Sequence, residues 1–171
     1  MQHIIDYPIP ANEAERLEAL RSTQLLDSKP EVAFDAIVLQ ARKAFNTPIV
    51  AISLLDDHRQ WFKAKIGLDI SQTPRNIAFC AHTIIHDEVM YVLDAMQDMR
   101  FAHNPLVTGD THIRFYAGAP IIISKELIIG TLCVIDTEPR ASFSVNDKLT
   151  LQTIADAVKD LVYTRILMQL Y

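Results

Sequence analysis

Residues 113–135 read IRFYAGAPIIISKELIIGTLCVI: two apolar runs, Ile113–Ile123 and Leu127–Ile135, parted by Ser124, Lys125 and Glu126. β-Branched and aromatic residues suit both runs to strands, and three polar residues suffice only for an antiparallel return. The segment is a hairpin. Working back along the chain, Ile49–Leu55 (IVAISLL) is a continuous apolar run, expected as a central strand buried on both faces. Asp56–Arg59 turns the chain. The next segment sets Trp61, Lys63 and Lys65 against Phe62, Ala64 and Ile66, the alternation of a half-exposed partner strand. Val89–Leu93 adds a fifth strand. Strands in sequence joined by short turns give an antiparallel sheet with helices packed on it, an α+β architecture.

Helices flank these strands. Asn12 and Glu15 have the spacing of a capping box, opening a helix to about Leu26 with Ala14, Leu17 and Leu20 on one side. Asp27–Pro30 breaks it, and Ser28 with Glu31 restarts a second. There Phe34, Ile37, Val38, Ala41 and Phe45 recur at helical spacing until Asn46-Thr47-Pro48 stops the run. Ser144 and Asp147 suit the cap of a last helix running to the chain end. Along it Leu151, Ile154, Val158, Leu161 and Met168 form a 3.5-residue seam interrupted by Arg165. Between the strands lie a polar loop (67–77), a short helix (78–86) and a long irregular stretch (94–112). Stretches of that length inside a compact domain are uncommon unless they have a task.

Bulk properties narrow the function. The 171 residues fit one domain: a tail over residues 1–11 and a single unit over 12–171, whose last helix begins at about 144. A net charge of -5 without a basic stripe argues against nucleic acid and anionic membranes as partners. The opening residues lack the pattern of a signal peptide, which points to the cytoplasm, where Cys80 and Cys133 are expected as reduced thiols. With four glycines in the chain, no phosphate-cradling loop or GxSxG elbow is found.

Three clusters carry the polar chemistry. In Arg75–Ile84, Cys80 and His82 are two apart and on a helix would face different ways, which speaks against a direct nucleophile pair. His82 and His86 could share a face, but no strong metal spacing supports them, and they are read as surface or capping residues. In the second cluster, Asp94, Asp98 and Asn104 suit fixing an irregular loop, and the fork of Arg100 can tie carboxylates together. The same loop could cover a cavity and offer Asp98 or Arg100 to a ligand. In the third, Arg114 and Tyr116 share one strand face, positioned either to grip an anion or to pair Arg114 with Asp94 or Asp98.

Taken together, Phe79-Cys80-Ala81-His82-Thr83, Asp94-Ala95 with Asp98, Arg100 and Phe101, Asn104–Val107, Arg114–Pro120 and Ile129–Asp136 closely resemble a GAF domain. The similarity is to the type found N-terminal in bacterial sensor histidine kinases and GGDEF diguanylate cyclases. It covers about residues 12–168. This resemblance implies a sheet of six antiparallel strands with the N- and C-terminal helices on one face and a loop-roofed pocket on the other. The sixth strand is expected around Lys65–Thr73. It also implies a homodimer formed through the terminal helices, in agreement with the seam, and a histidine kinase or GGDEF output domain.

Subfamily signatures fit less well. Phe143 and Asp147 match part of the cyclic-nucleotide constellation, with Lys148 where Glu belongs. No bilin-attachment motif is found. Free methionine-(R)-sulfoxide reductases share the fold but generally use three cysteines, where this chain has two. The leading expectation is therefore a non-enzymatic sensor of a small ligand or of redox state, in which Cys80, His82, Asp94, Asp98, Arg100, Asn104, Arg114 and Tyr116 line or brace the pocket, with the ligand's identity and any cofactor left open. The alternatives are a thiol enzyme with Cys80 as nucleophile and Cys133 resolving, and a ligand-free dimerisation module.

Overall fold

The computed structural model describes residues 6–124 and 126–171. Lys125 of the expected hairpin turn and the first five residues of the expected tail lie outside the described residues. In chain order the elements are α1 (Glu13–Ser22), α2 (Val32–Phe45), β1 (Ile49–Leu55), β2 (Arg59–Ile66) and β3 (Gln72–Pro74). Then follow a 3-10 turn (Arg75–Ile77), α3 (Cys80–Thr83), β4 (Met90–Val92), a second 3-10 turn (Ala95–Gln97) and α4 (Pro105–Thr108). The hairpin strands β5 (Phe115–Ser124) and β6 (Leu127–Asp136) precede the long α5 (Val145–Met168). Six strands form one antiparallel sheet in the order β3-β2-β1-β6-β5-β4. The sixth is β3, whose residues 72–74 pair with residues 59–61 of β2.

Both faces of the sheet are covered, which is why its central strands read as unbroken apolar runs. On β1, Val50, Ile52 and Leu54 join a core shared with α2 and α5, while Ile49, Ala51 and Leu55 join a second core on the opposite face. On β6, Leu132 and Val134 point toward the helices, and Cys133 and Ile135 point away.

The alternation read for β2 does not hold through the strand. Ile52 pairs with Ala64 and Ser53 with Phe62, so Lys63 is an extra residue, a β-bulge. Trp61 and Ala64 therefore both reach the helix-side core. Lys63 is buried rather than half-exposed, and its ammonium is fully supplied with acceptors. It donates to Ser28 Oγ at 2.7 Å and the Lys29 carbonyl at 2.6 Å, and pairs with the Glu31 carboxylate. A buried cation is tolerated only on such terms.

Helix boundaries follow local chemistry, with corrections. Asn12 makes no cap bond and donates instead to the Glu126 carbonyl at 3.4 Å; α1 ends at Ser22, where the Thr23 hydroxyl bonds back to the Leu20 carbonyl. Ser28 is likewise no cap, since its hydroxyl donates to the Leu25 carbonyl and accepts from Lys63. Asn46 ends α2 in the left-handed conformation (φ 52°), and Ser144 with Asp147 forms a full capping box on α5. The expected helix over 78–86 contracts to Cys80–Thr83, and the stretch 94–112 contains two short helical segments.

The seam on α5 is spent inside the domain. Leu151, Ile154 and Val158 are buried in the helix-side core with Ala155 and Val162, and Met168 is 73% exposed. An open sheet face must be covered, and α5 covers it. Arg165 interrupts nothing: it donates to the Thr23 and Gln24 carbonyls and to Glu31, tying α5 to the α1–α2 connection. Among the described residues no helix is long and apolar enough to cross a membrane.

Candidate functional site

The strand period of two places Thr131, Cys133 and Ile135 of β6 on the face away from α2 and α5, beside Tyr116 of β5. The segment 68–73, α3 with the preceding Phe79, and residues 106–113 close over this face. They leave a partly open cavity of about 30 Å³, lined by side chains that include Ile49, Phe62, Leu68, Phe79, Cys80, Tyr116 and Cys133. That volume holds on the order of one or two water molecules. No lining residue is charged; the polar groups are Gln60, Thr73 and Thr111, the two thiols and the Tyr116 hydroxyl. Phe79 forms the roof, stacked on Phe101 at 4.0 Å between ring centroids and tilted on Tyr116 at 5.2 Å.

Cys80 Sγ is the point where donors converge. The Thr131 hydroxyl donates to it at 3.0 Å and the Tyr116 hydroxyl at 3.2 Å, while the Cys133 thiol donates to the Ala51 carbonyl at 3.7 Å. Burial alone would push the Cys80 thiol up. The neighbouring Cys133 thiol, with donation from Thr131 and Tyr116, outweighs it and brings the group down to about 7. Cys133 moves the other way, raised first by its interaction with Cys80 and then by burial. Burial likewise raises Tyr116, so it stays a phenol and a donor.

Gly118 makes room for this arrangement. A Cβ at that position would stand 2.2 Å from the Tyr116 hydroxyl and 3.1 Å from Thr83 Oγ1. The two hydroxyls are themselves hydrogen-bonded at 2.7 Å. We expect Gly118→Ala to cost about 1–3 kcal/mol by overpacking. It should also raise the Cys80 pKa by driving the Tyr116 donor off the sulfur, checked by alkylation rate against pH. An unchanged rate profile would show that Tyr116 does not govern this thiol.

Of the eight residues expected from sequence, Cys80 and Tyr116 line the cavity. Asn104 braces the roof: it is buried, donates to the Ile77 carbonyl at 3.0 Å and accepts from the Leu106 amide. Asp94 caps the turn after it by accepting from the Met96 amide. His82 and Arg100 line a separate outer cleft of about 310 Å³, with Thr83 and Met90. Burial, then the Arg100 charge, lowers His82 to about 4 against a smaller opposing effect of Asp98, so the imidazole is neutral near pH 7. It packs edge-on to Phe101, away from Cys80, as the two-residue spacing predicts.

Arg100 does not bridge two carboxylates; it pairs with Asp98 at 2.8 Å and lies over the Phe101 ring. Arg114 pairs with neither Asp94 nor Asp98. Its guanidinium donates to the Val107 and Ile113 carbonyls and meets His112 Nδ1 at 3.2 Å, because carbonyls of the preceding turn reach it first. Among the described residues no three His, Cys, Asp or Glu side chains converge to hold a metal ion. Phe79 and Gln60, which line the cavity, and Thr131, which donates to Cys80, are not among the eight expected residues. Thr131 had a signal, since it stands two residues before Cys133 in an otherwise apolar strand.

A sequence profile of the GAF domain matches residues 29–159, more than two thirds of the chain. This chain belongs to the GAF family. A protein of Pseudomonas aeruginosa named as a cyclic di-GMP phosphodiesterase is 44% identical over 157 residues, 92% of this chain. The chain spans 27% of that relative's length. Among solved structures, the GAF domain of an Acinetobacter phosphoenolpyruvate-protein phosphotransferase superposes with a TM-score of 0.64 at 19% identity, covering 92% of this chain and 98% of that one. Free methionine-R-sulfoxide reductase from Neisseria meningitidis, solved with its substrate, superposes with a TM-score of 0.63 at 16% identity, covering 98% and 99%. At these identities the structures share the fold alone.

Within this GAF domain the partial cyclic-nucleotide signature has structural employment. Phe143 packs among Phe45, Phe115 and Tyr91 at 5.6–5.8 Å, and Asp147 is the capping carboxylate of α5.

Proposed function

We propose that this GAF domain is a cytoplasmic regulatory module that senses a compact, uncharged small molecule in the cavity above β1 and β6. It passes that state through its end helices to an attached output enzyme. The carrying observation is a contact path from the cavity wall to α5. Phe62 lines the cavity, and its neighbour Lys63 shares the Glu31 carboxylate with Arg165 of α5. A ligand that moves Phe62 thus acts on a bulge already ion-paired, through one shared carboxylate, to the C-terminal helix. Coupling then requires the ligand to favour one of two arrangements of that path.

The 44% relative supports an output enzyme acting on cyclic di-GMP, in place of the kinase or cyclase suggested by sequence. The cavity itself suits no nucleotide: it has no cation for a phosphate, and about 30 Å³ is far below the ~300–1,000 Å³ of drug-sized sites. A ligand larger than a few atoms enters by displacing Leu68 and Leu106 of the cover. Two copies pair through the outward side of α5, where Leu149, Tyr163 and Leu167 are exposed, instead of through the buried seam.

Thermal denaturation of the domain titrated with compact neutral metabolites, and separately with cyclic di-GMP, tests this reading. A true ligand at 100 times its Kd adds about 2.7 kcal/mol, a rise of roughly 5–10 °C for a chain of this size. A midpoint that responds to cyclic di-GMP and to nothing smaller would overturn it.

A further inference from the structure

We infer that Cys80 and Cys133 form a dithiol switch in this cavity, closing to an intramolecular disulfide when a hydroperoxide, of which hydrogen peroxide is the smallest, enters. The inference rests on reading the cavity as the sensing site, and requires no reversible ligand.

Three observations point to it. Both cysteines are free and buried and line one small cavity, Cys80 from α3 and Cys133 from β6. Hydroxyl donors from Thr131 and Tyr116 hold Cys80 Sγ in place, and Thr131, 3.0 Å from that sulfur, stands two residues from Cys133 on the same face of β6. The free volume of about 30 Å³ and the uncharged lining admit a neutral oxidant of two heavy atoms, while excluding bulky or ionic ones such as glutathione disulfide.

The order of events follows from the donors. Cys80 carries the thiolate, because neutral donors stabilise a negative sulfur there, whereas Cys133 is raised. Cys80 sulfur attacks one peroxide oxygen: an S–O bond forms, the O–O bond breaks, and the departing hydroxide takes a proton to leave as water. Cys80 is then a sulfenic acid. Cys133 sulfur attacks Cys80 sulfur, an S–S bond forms, the S–O bond breaks, and the hydroxyl departs with the Cys133 proton as a second water. Two thiols lose two electrons and one peroxide becomes two waters. The product ties the roof to the sheet, which is the displacement a regulatory cavity must report.

The experiment treats the domain with hydrogen peroxide, denatures it, alkylates free thiols and weighs the intact chain. Met99, 97% exposed, reports the dose through its own oxidation. Two alkylated thiols are expected before treatment and none after, in a monomer, with both restored by dithiothreitol. In Cys133→Ala the same dose should give one sulfenic acid at Cys80, trapped by dimedone. In Cys80→Ala, Cys133 should oxidise at least about tenfold more slowly, because only the thiolate attacks. Circular dichroism establishes that both variants are folded.

Two intact thiols at doses that oxidise Met99 would overturn the inference. So would disulfides between chains, or Cys133 reacting as fast without Cys80. A flat ligand titration beside clean disulfide formation would remove the reversible-ligand reading and leave the switch standing.

Discussion

Glu13→Gln should lower the stability of the domain by about 3–5 kcal/mol, the usual cost of removing one partner from a buried ion pair. On a chain of this length that is a fall in midpoint on the order of 6–20 °C. Glu13 is held between two arginines that have almost no access to water: Arg16, bound through its Nε at 2.9 Å, and Arg75, bound through Nη1. Arg75 also donates to the Asp56 carbonyl at 3.1 Å and sits under the Tyr7 ring, yet its Nε is buried without a partner. Removing the charge leaves two guanidinium groups in a dry site with only carbonyls and a ring face to answer them.

The pH dependence supplies an independent check. Burial by itself would raise the Glu13 carboxyl; hydrogen bonds and charge from Arg16 and Arg75 overcome that and bring it from 4.5 to about 2. A carboxyl depressed on folding stabilises above its unfolded pKa, and that contribution is lost as pH falls through the folded one. The gap between wild type and Glu13→Gln should therefore be widest above pH 4.5 and close progressively toward pH 2, as read by urea titrations across that range. A gap constant with pH would mean that shape, not charge, is what Glu13 supplies. The cluster also has a functional place: Arg75 opens the turn that leads into α3, so Glu13 fastens α1 to the segment carrying Cys80.

Phe79→Ala should cost a similar amount, about 3–5 kcal/mol, through lost transfer energy and the void left behind. Phe79 is 2% exposed, and its ring is held between Phe101 and Tyr116. The void opens directly into the cavity, since Phe79 is part of its lining. An apolar hole of that kind stays dry and binds small apolar molecules. Benzene or indole should consequently raise the variant's denaturation midpoint with concentration and leave the wild-type midpoint unmoved. A loss below about 1 kcal/mol would show the roof to be loosely packed, contrary to the stacking geometry.

These predictions draw on residues of unequal visibility. Phe79 stands beside Cys80 in a stretch singled out on sequence grounds, and its burial follows from being aromatic in a short turn under a sheet. Glu13 looks like an ordinary acidic residue in the first turn of a helix. Its partner Arg75 is 62 positions away, and nothing local announces the pair. The eight expected site residues divide on the same line. Cys80 and Tyr116 point into the cavity because helix and strand periods fix their direction. Asp94, Asp98, Arg100 and Arg114 occupy irregular backbone, where no period specifies which way a side chain turns.

What the sequence by itself determined was the sheet, its antiparallel sense, the capping of α5 and the family, because each rests on contacts between residues close in the chain or on patterns of fixed period. The tertiary structure alone decided that α5 spends its apolar seam on its own domain and that Lys63 is a bulge paired with Glu31. It alone showed that the charged residues of the long loop lie outside an uncharged cavity. Those outcomes depend on which distant groups compete for the same carboxylate or the same dry surface, and that competition is settled by the packed chain, not by any stretch of it.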